Sequence, residues 1–288
     1  MGGSHDDRRA AADKEAAFHH ADDLVDLLLK AARIGDGTEM TIENVVAAVR
    51  KLHEAGVGFT ICSSRPPFGL TTMRDALQIT LPFGGYNAGS IVEPDLTVIE
   101  QVCIPPAVAR LAVDTFHANG VDTWVFVGNE WVILNREGDH VDHEIHTIDV
   151  PPTVVSAYTD DHFSAVGKIV GASNNHDLIA KVEHIMRETL GSSAHAARSQ
   201  PYYCDVIPPG INKGRIVEVL AARLGLDRGE IVVLGDMDND LEMFGKAGFS
   251  IAMGNATDQV KAAASATATG SNDEDGWAEA IERHVLAD

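Results

Sequence analysis

Basic residues are scarce in this chain: 22 Lys and Arg stand against 43 Asp and Glu, a formal charge of −21 with His neutral. That surplus of carboxylates repels nucleic-acid backbones and anionic membrane surfaces, so neither is expected as a partner. It does not exclude an anionic small substrate, because a bound cation reverses the local field. Cysteine is rare as well. Cys62, Cys103 and Cys204 lie far apart and form no C-x-x-C pair. This argues against a disulfide scaffold or structural zinc and points to a reducing cytoplasm. No apolar run approaches the ~20 residues a membrane helix needs. The charged opening MGGSHDDRRAAADKEAAFHHADD lacks the apolar centre of a signal peptide, and residues 1–23 read as a flexible or helical extension. What the chain does have is a 45% hydrophobic composition over 288 residues. That suffices for a full core in one large domain or two modest ones.

Along the chain, TIENVVAAVRKLHEAG spaces Val45, Val46, Val49 and Leu52 along one helical face. Thr41 is placed to cap its start and Gly56 to end it. VGFTIC (57–62) reads as a buried strand, and SSRPPFG as a loop leading to a helix near Gln78. The C-terminal third alternates in the same way. Helices are expected at 213–225, 238–248, 256–264 and 273–286, and strands at 230–235, 249–254 and 265–270. Such alternation implies a doubly wound, mostly parallel α/β sheet. The middle differs: DTWVFVGNEWVILN predicts a hairpin about Gly128-Asn129, between helices at 105–120 and 175–190. The expected organisation is therefore an α/β core at 24–88 and 201–288 with an α+β insert at 89–200.

Ligands of open parallel sheets bind beyond the carboxyl ends of the strands, so the residues there carry the functional argument. GDMDND puts Asp236, Asp238, Asn239 and Asp240 at a strand-to-helix junction, an oxygen-rich set suited to Mg²⁺. In NKG, Lys213 sits at a helix start, where the dipole disfavours a cation unless an anion lies between. In ICSSRPP, Ser63, Ser64 and Arg65 follow a strand, and a turn there can hold phosphate oxygens.

In this order, ICSSRPP, NKG and GDMDND resemble the second, third and fourth motifs of the haloacid dehalogenase-like superfamily, specifically its Cof-type, subclass IIB phosphatases. YNAGSIV (86–92) and AGFSIAMGNATDQVKAAA (247–264) add to the resemblance. It implies a Rossmann-like core with an inserted cap, and a Mg²⁺-dependent phosphohydrolase acting on a small phosphorylated metabolite, most often a sugar phosphate. Ser63 would bond the transferring phosphoryl group and Lys213 would neutralise its charge. Asp236, Asn239 and Asp240 would serve the metal, and Ser64, Arg65 and Asn87 would help bind substrate. The only macromolecular partner expected is a second copy of the chain, as a homodimer.

The superfamily's first motif, a strand ending in Asp-x-Asp-Gly-Thr, has no full counterpart here. Aligning GDGT places Asp36 at the second carboxylate and Ile34 at the nucleophile, and LVDLLLKAARI before it reads as an amphipathic helix. Two readings follow. Asp36, or another acid such as Asp26, serves an aspartyl-phosphate mechanism; or the protein is an inactive relative that binds a phosphorylated ligand or a protein partner. Among weaker signals, His140, His143 and His146 suit no metal-binding period and read as a solvated loop or strand edge. Trp124, Trp131 and Trp277 read as packing residues, Cys62 as an inert core thiol, and Tyr202 and Tyr203 as the return from the cap.

Overall fold

A computed structural model describes residues 24–28, 40–272 and 274–287. The expected N-terminal extension, Ile34 and Asp36 lie outside them. In chain order the elements are β1 (Leu24–Leu28), α1 (Met40–Glu54), β2 (Val57–Ile61), α2 (Thr71–Ala76), β3 (Phe83–Gly85), β4 (Ser90–Val92) and β5 (Val98–Gln101). There follow α3 (Pro106–Ala118), β6 (Asp122–Val127), β7 (Glu130–Ile133), α4 (Val141–Ile148), β8 (Thr153–Val154), β9 (Val166–Ala172), α5 (His176–Leu190), β10 (His195–Gln200) and β11 (Tyr203–Ile207). The chain closes with α6 (Gly214–Leu224), β12 (Ile231–Gly235), α7 (Leu241–Phe244), β13 (Phe249–Ala252), α8 (Asp258–Ala263), β14 (Ala266–Thr267) and α9 (Gly276–His284).

These form two compact units. The first takes the described parts of Met1–Ala32, Thr38–Thr60 and Val217–Asp288; the second takes Ile61–Ile216. The first unit is built on a five-stranded sheet of order β14-β13-β12-β1-β2, with parallel pairing from β14 through to β1. Here β1 corrects a sequence expectation: Leu24–Leu28 is a strand, not the start of a helix, and Leu28 pairs with Leu234. Leu and Ala favour a helix locally, but strand preference is set by the slot a segment fills, and this segment fills the slot between β12 and β2. Strand order reverses at β1–β12, which is where ligands of doubly wound sheets bind. The core under the sheet includes Leu52, Phe59, Leu220, Val233, Ile251 and Trp277, and the Phe59 and Trp277 rings lie 6.1 Å apart. Helix α1 begins at Met40, so Thr41 is inside it rather than capping it; Gly56 ends it with φ +73°, as its sequence predicts.

The second unit contains a six-stranded sheet, β10-β11-β9-β6-β7-β8, and a small antiparallel sheet, β3-β4-β5. The hairpin β6–β7 forms about Gly128 as expected. The larger sheet runs on through β11 to Ile207, beyond the residue 200 at which the sequence pattern ends the insert. Apolar residues of α3 and α5 cover one face, around Phe116, Ile169 and Val206. The other face carries Trp124, Phe126, Trp131 and Tyr203, and is covered by α4 together with Phe68 and Tyr86. Helix α4 corrects a second expectation, because His143 and His146 lie in a helix rather than a loop. His140 precedes it in a left-handed conformation and stacks on Tyr202, with ring centroids 4.1 Å apart. Cys62, Cys103 and Cys204 are free, and the three tryptophans are buried.

Candidate active site

In the first unit, the apolar strand β12 delivers the acidic turn to the carboxyl end of the sheet. Val233 and Leu234 are fully buried, and Asp236 follows them at 8% exposure. Asp240 is completely buried, and its Oδ2 accepts hydrogen bonds from the backbone N–H groups of Asp236 and Met237, each 3.0 Å long. A buried carboxylate is tolerated when N–H donors satisfy it. Here those bonds fold the 236–240 turn back on itself. Asp236 Oδ2 accepts from the Asn272 side-chain amide at 2.9 Å. Asn239 and Asp238 face solvent. Gly235 is required by this geometry, because a Cβ there would lie 2.5 Å from Asp240 Cβ.

The donor chemistry of this turn fits Mg²⁺. Among the described residues no group of three or more His, Cys, Asp or Glu is placed to hold a metal ion. Mg²⁺, however, uses only one or two protein carboxylates and keeps several waters. The buried Asn272 Oδ1, beside Asp236, has no hydrogen-bond partner among the described residues, and an ordered water would satisfy it.

In the second unit, the turn after β2 is pinned from several sides. The Ser63 N–H donates to Gly84 O at 2.9 Å, and Ser63 O accepts from the Asn87 N–H at 2.8 Å. The Arg65 N–H donates to Ser63 Oγ at 3.2 Å, and Arg65 O accepts from the Tyr86 N–H at 2.9 Å. Ser63, Ser64, Arg65 and Asn87 are all partly buried. The structure therefore brings Ser63, Arg65 and Asn87 together. Tyr86, Asn87 and Ala88 have φ of 52°, 56° and 64°, three consecutive non-glycine residues in the left-handed region. Such a run is rare and costly. Arg215 braces it, donating from Nε to Ala88 O at 3.2 Å while Nη2 meets Glu100 at 3.1 Å.

Lys213 immediately precedes α6 and is 1% exposed, so it is not an ordinary surface lysine. A lysine is almost never this deeply buried unless paired.

Sequence reasoning missed a cluster of charges on the inner face of the six-stranded sheet. Lys168 Nζ and Asp205 Oδ2 pair at 2.7 Å with only 12% and 13% of their side chains exposed. Glu144 of α4 is in the field of Lys168, Asp205 and Arg65. Burial pushes the Glu144 carboxyl above its ordinary range, and Asp205 adds to the shift; Lys168, Arg65 and Tyr203 pull the other way. Burial also works against the Arg65 charge, and Glu144 supports it. One signal was visible in advance: Lys168 interrupts the otherwise apolar strand VGKIVGA.

Comparison with known proteins shows the family of the chain. The model of the haloacid dehalogenase-like hydrolases matches residues 34–281. An HMP-PP phosphatase of Cronobacter sakazakii is 26% identical over 248 residues, 82% of this chain and 83% of the relative. A haloacid dehalogenase-like hydrolase from Bacteroides thetaiotaomicron superposes with a TM-score of 0.82 at 26% identity, covering 90% of this chain and 98% of that one. A sugar phosphatase of subclass IIB shares the fold with a TM-score of 0.73 at 19% identity, covering 91% and 99%. With a fold consistent with a Rossmann-like α/β core plus a cap, and a family model that spans most of its length, the chain belongs to the haloacid dehalogenase-like hydrolase family.

Proposed function

We infer that this protein is a Mg²⁺-dependent phosphohydrolase of a small phosphorylated metabolite, with sugar phosphates the first class to test, working in the cytoplasm. The observation that carries the reading is the acidic turn after β12. It sets Asp236 beside the sheet's switch point and locks Asp240 with two backbone N–H groups. Relatives described as an HMP-PP phosphatase and a sugar phosphatase support it. Phosphoryl transfer needs positioning and charge neutralisation above all. On this reading Ser63 donates to a phosphoryl oxygen, and the turn carrying Ser64, Arg65 and Asn87 orients the ester. Lys213 neutralises charge on the phosphoryl group. Asp236, with Asn239 and Asp240, would hold Mg²⁺, which when bound offsets the negative charge gathering on the transferring group. Asp36 is the carboxylate that the first motif offers for the aspartyl-phosphate chemistry.

The test is phosphate release from a panel of sugar phosphates and 4-nitrophenyl phosphate, with and without Mg²⁺, beside Asp236→Asn. Mg²⁺-dependent turnover lost in the variant is the expected result. Turnover indifferent to both would refute it.

A second reading rests on one observation: residues 29–35, which follow strand β1, contain no Asp or Glu. A relative without a nucleophile would bind a phosphorylated ligand or a protein partner and not turn over. Tight phosphate binding with no release from any ester would favour it.

A further inference from the structure

The start of α6 carries two cations close together, Lys213 and Arg215, and no acid in its first turn. The helix dipole works against positive charge at that end, so each cation needs a reason to stand there. In the proposed chemistry Lys213 neutralises the phosphoryl group. Arg215 is engaged elsewhere. Its Nε donates to Ala88 O at 3.2 Å and its Nη2 to Glu100 Oε2 at 3.1 Å. One guanidinium thus joins α6, the turn between β3 and β4, and the edge strand β5. A planar fork with fixed donor directions suits such a bridge better than an ammonium does.

The Ala88 end of the bridge points to its purpose. Ala88 closes the left-handed run that begins at Tyr86, and strained backbone of this kind persists only where its surroundings over-determine it. The run in turn supports the turn after β2, because the Asn87 N–H donates to Ser63 O at 2.8 Å and the Tyr86 N–H to Arg65 O at 2.9 Å. Apolar contacts bring the start of α6 to the same place from two sides. A Cβ at Gly89 would lie 3.5 Å from Ile211 Cγ2, and one at Gly84 would lie 3.4 Å from Ile216 Cδ1. Ile211 and Ile216 bracket Lys213 in the chain, so the segment that carries the lysine rests on the turn that holds Ser63. Apolar packing is non-directional; the Arg215 fork adds direction to it.

We propose that Arg215 is a positioning residue: oriented by Glu100, it holds the Ala88 carbonyl and so keeps the turns of Asn87 and Ser63 in register with Lys213. The proposal rests on the reading of Ser63, Asn87 and Lys213 as phosphoryl- and substrate-binding groups. Stability is not what the pair supplies. The Arg215 and Glu100 side chains are 27% and 48% exposed, and ion pairs that open to solvent contribute little. Alignment is what it supplies, and a small misplacement of a binding group costs rate steeply. Glu100 separates this role from a plain effect of charge. As a charge alone, an acid repels an anionic ester, so its removal would strengthen phosphate binding. Acting through Arg215, its removal loosens the fork and slows turnover.

The experiment uses Arg215→Met, Arg215→Lys, Glu100→Ala and the double variant Arg215→Met/Glu100→Ala in the full chain. It reads kcat and KM for 4-nitrophenyl phosphate, and the affinity for inorganic phosphate by calorimetry. Thermal melts confirm that the variants fold. In Arg215→Met, kcat/KM falls by about 10–100-fold, with kcat carrying most of the loss, and phosphate binds several-fold more weakly. Arg215→Lys keeps the charge but not the fork, and recovers only part of the rate. Glu100→Ala lowers kcat by about 3–10-fold. The double variant is no slower than Arg215→Met, because Glu100 acts only through Arg215. Full rate in Arg215→Met, full recovery in Arg215→Lys, tighter phosphate binding in Glu100→Ala, or losses that multiply in the double variant would each overturn the proposal. If the wild-type protein binds phosphate but hydrolyses no ester, the phosphatase reading alone fails, and the same four variants read in phosphate affinity decide the role of Arg215. If the wild-type protein binds no phosphate, these turns are not a phosphoryl site and the proposal falls.

Discussion

Substituting Gly235 by alanine tests how the acidic turn is held. The added Cβ would lie 2.5 Å from Asp240 Cβ and 2.7 Å from both Cγ and Oδ2. Carbon atoms prefer separations of about 3.5–4.0 Å, so Asp240 must retreat by about 1 Å. It has no slack, being fully buried with Oδ2 fixed by two hydrogen bonds of 3.0 Å. A retreat of that size takes both bonds beyond hydrogen-bonding range. Bonds to an ionised group contribute about 1.5–3 kcal/mol each, and overpacking adds about 1–3 kcal/mol. With partial rehydration of the freed N–H groups, the expected loss is about 3–5 kcal/mol. Asp240→Asn keeps one carbonyl oxygen for the two donors and is expected to lose only about 1–2 kcal/mol. Hydrogen exchange resolves the effect locally: the amides of Asp236 and Met237 should lose protection in Gly235→Ala, along with Mg²⁺-dependent turnover. Protection within about 1 kcal/mol of wild type, with full activity, would show that the two bonds do not hold the turn.

Other substitutions probe the rest of the molecule. Lys213→Met removes the buried cation and should lower kcat by at least about 100-fold, comparable to losing one preorganised donor, while circular dichroism shows a folded protein; near-normal kcat would remove Lys213 from the chemistry. The Cys204 thiol is pushed up to about 12, chiefly by burial. Iodoacetamide at pH 8 should therefore label the half-buried Cys103 ahead of it, and mass spectrometry would expose the reverse order. Glu144 has a folded pKa raised above its unfolded value. It therefore contributes stability at acid pH that is lost as pH rises through the folded value. Glu144→Gln should accordingly raise the melting temperature relative to wild type at pH 8 but not at pH 4. An equal shift at both pH values would refute the assignment.

The two candidate turns, around Ser63 and Asp236, were legible because each is a local event: an apolar strand, a break and a helix start within a dozen residues. The alternation of elements likewise announced the doubly wound sheet. What could not be read were features decided by distant partners. LVDLL carries Leu where a strand prefers β-branched residues, and only the neighbouring β12 and β2 make it a strand. His140–His146 fit no single period because His140 stands outside α4 in a left-handed conformation. The pairing of Lys168 with Asp205 joins two separate strands, β9 and β11, and nothing in local spacing encodes it.

The left-handed run at Tyr86, Asn87 and Ala88 has a consequence for how the protein drifts and for how it could be improved. An L-residue held in that region costs about 1–2 kcal/mol relative to its preferred conformation. Glycine is free of this cost, yet it stands only on either side of the run, at Gly85 and Gly89, and not within it. Selection for stability alone would therefore tend to erase these side chains, whereas selection for the alignment of the Ser63 turn preserves them. A mutational scan scored separately for abundance and for turnover should diverge most at these three positions. Variants that survive longest in the cell would there be the poorest at the chemistry.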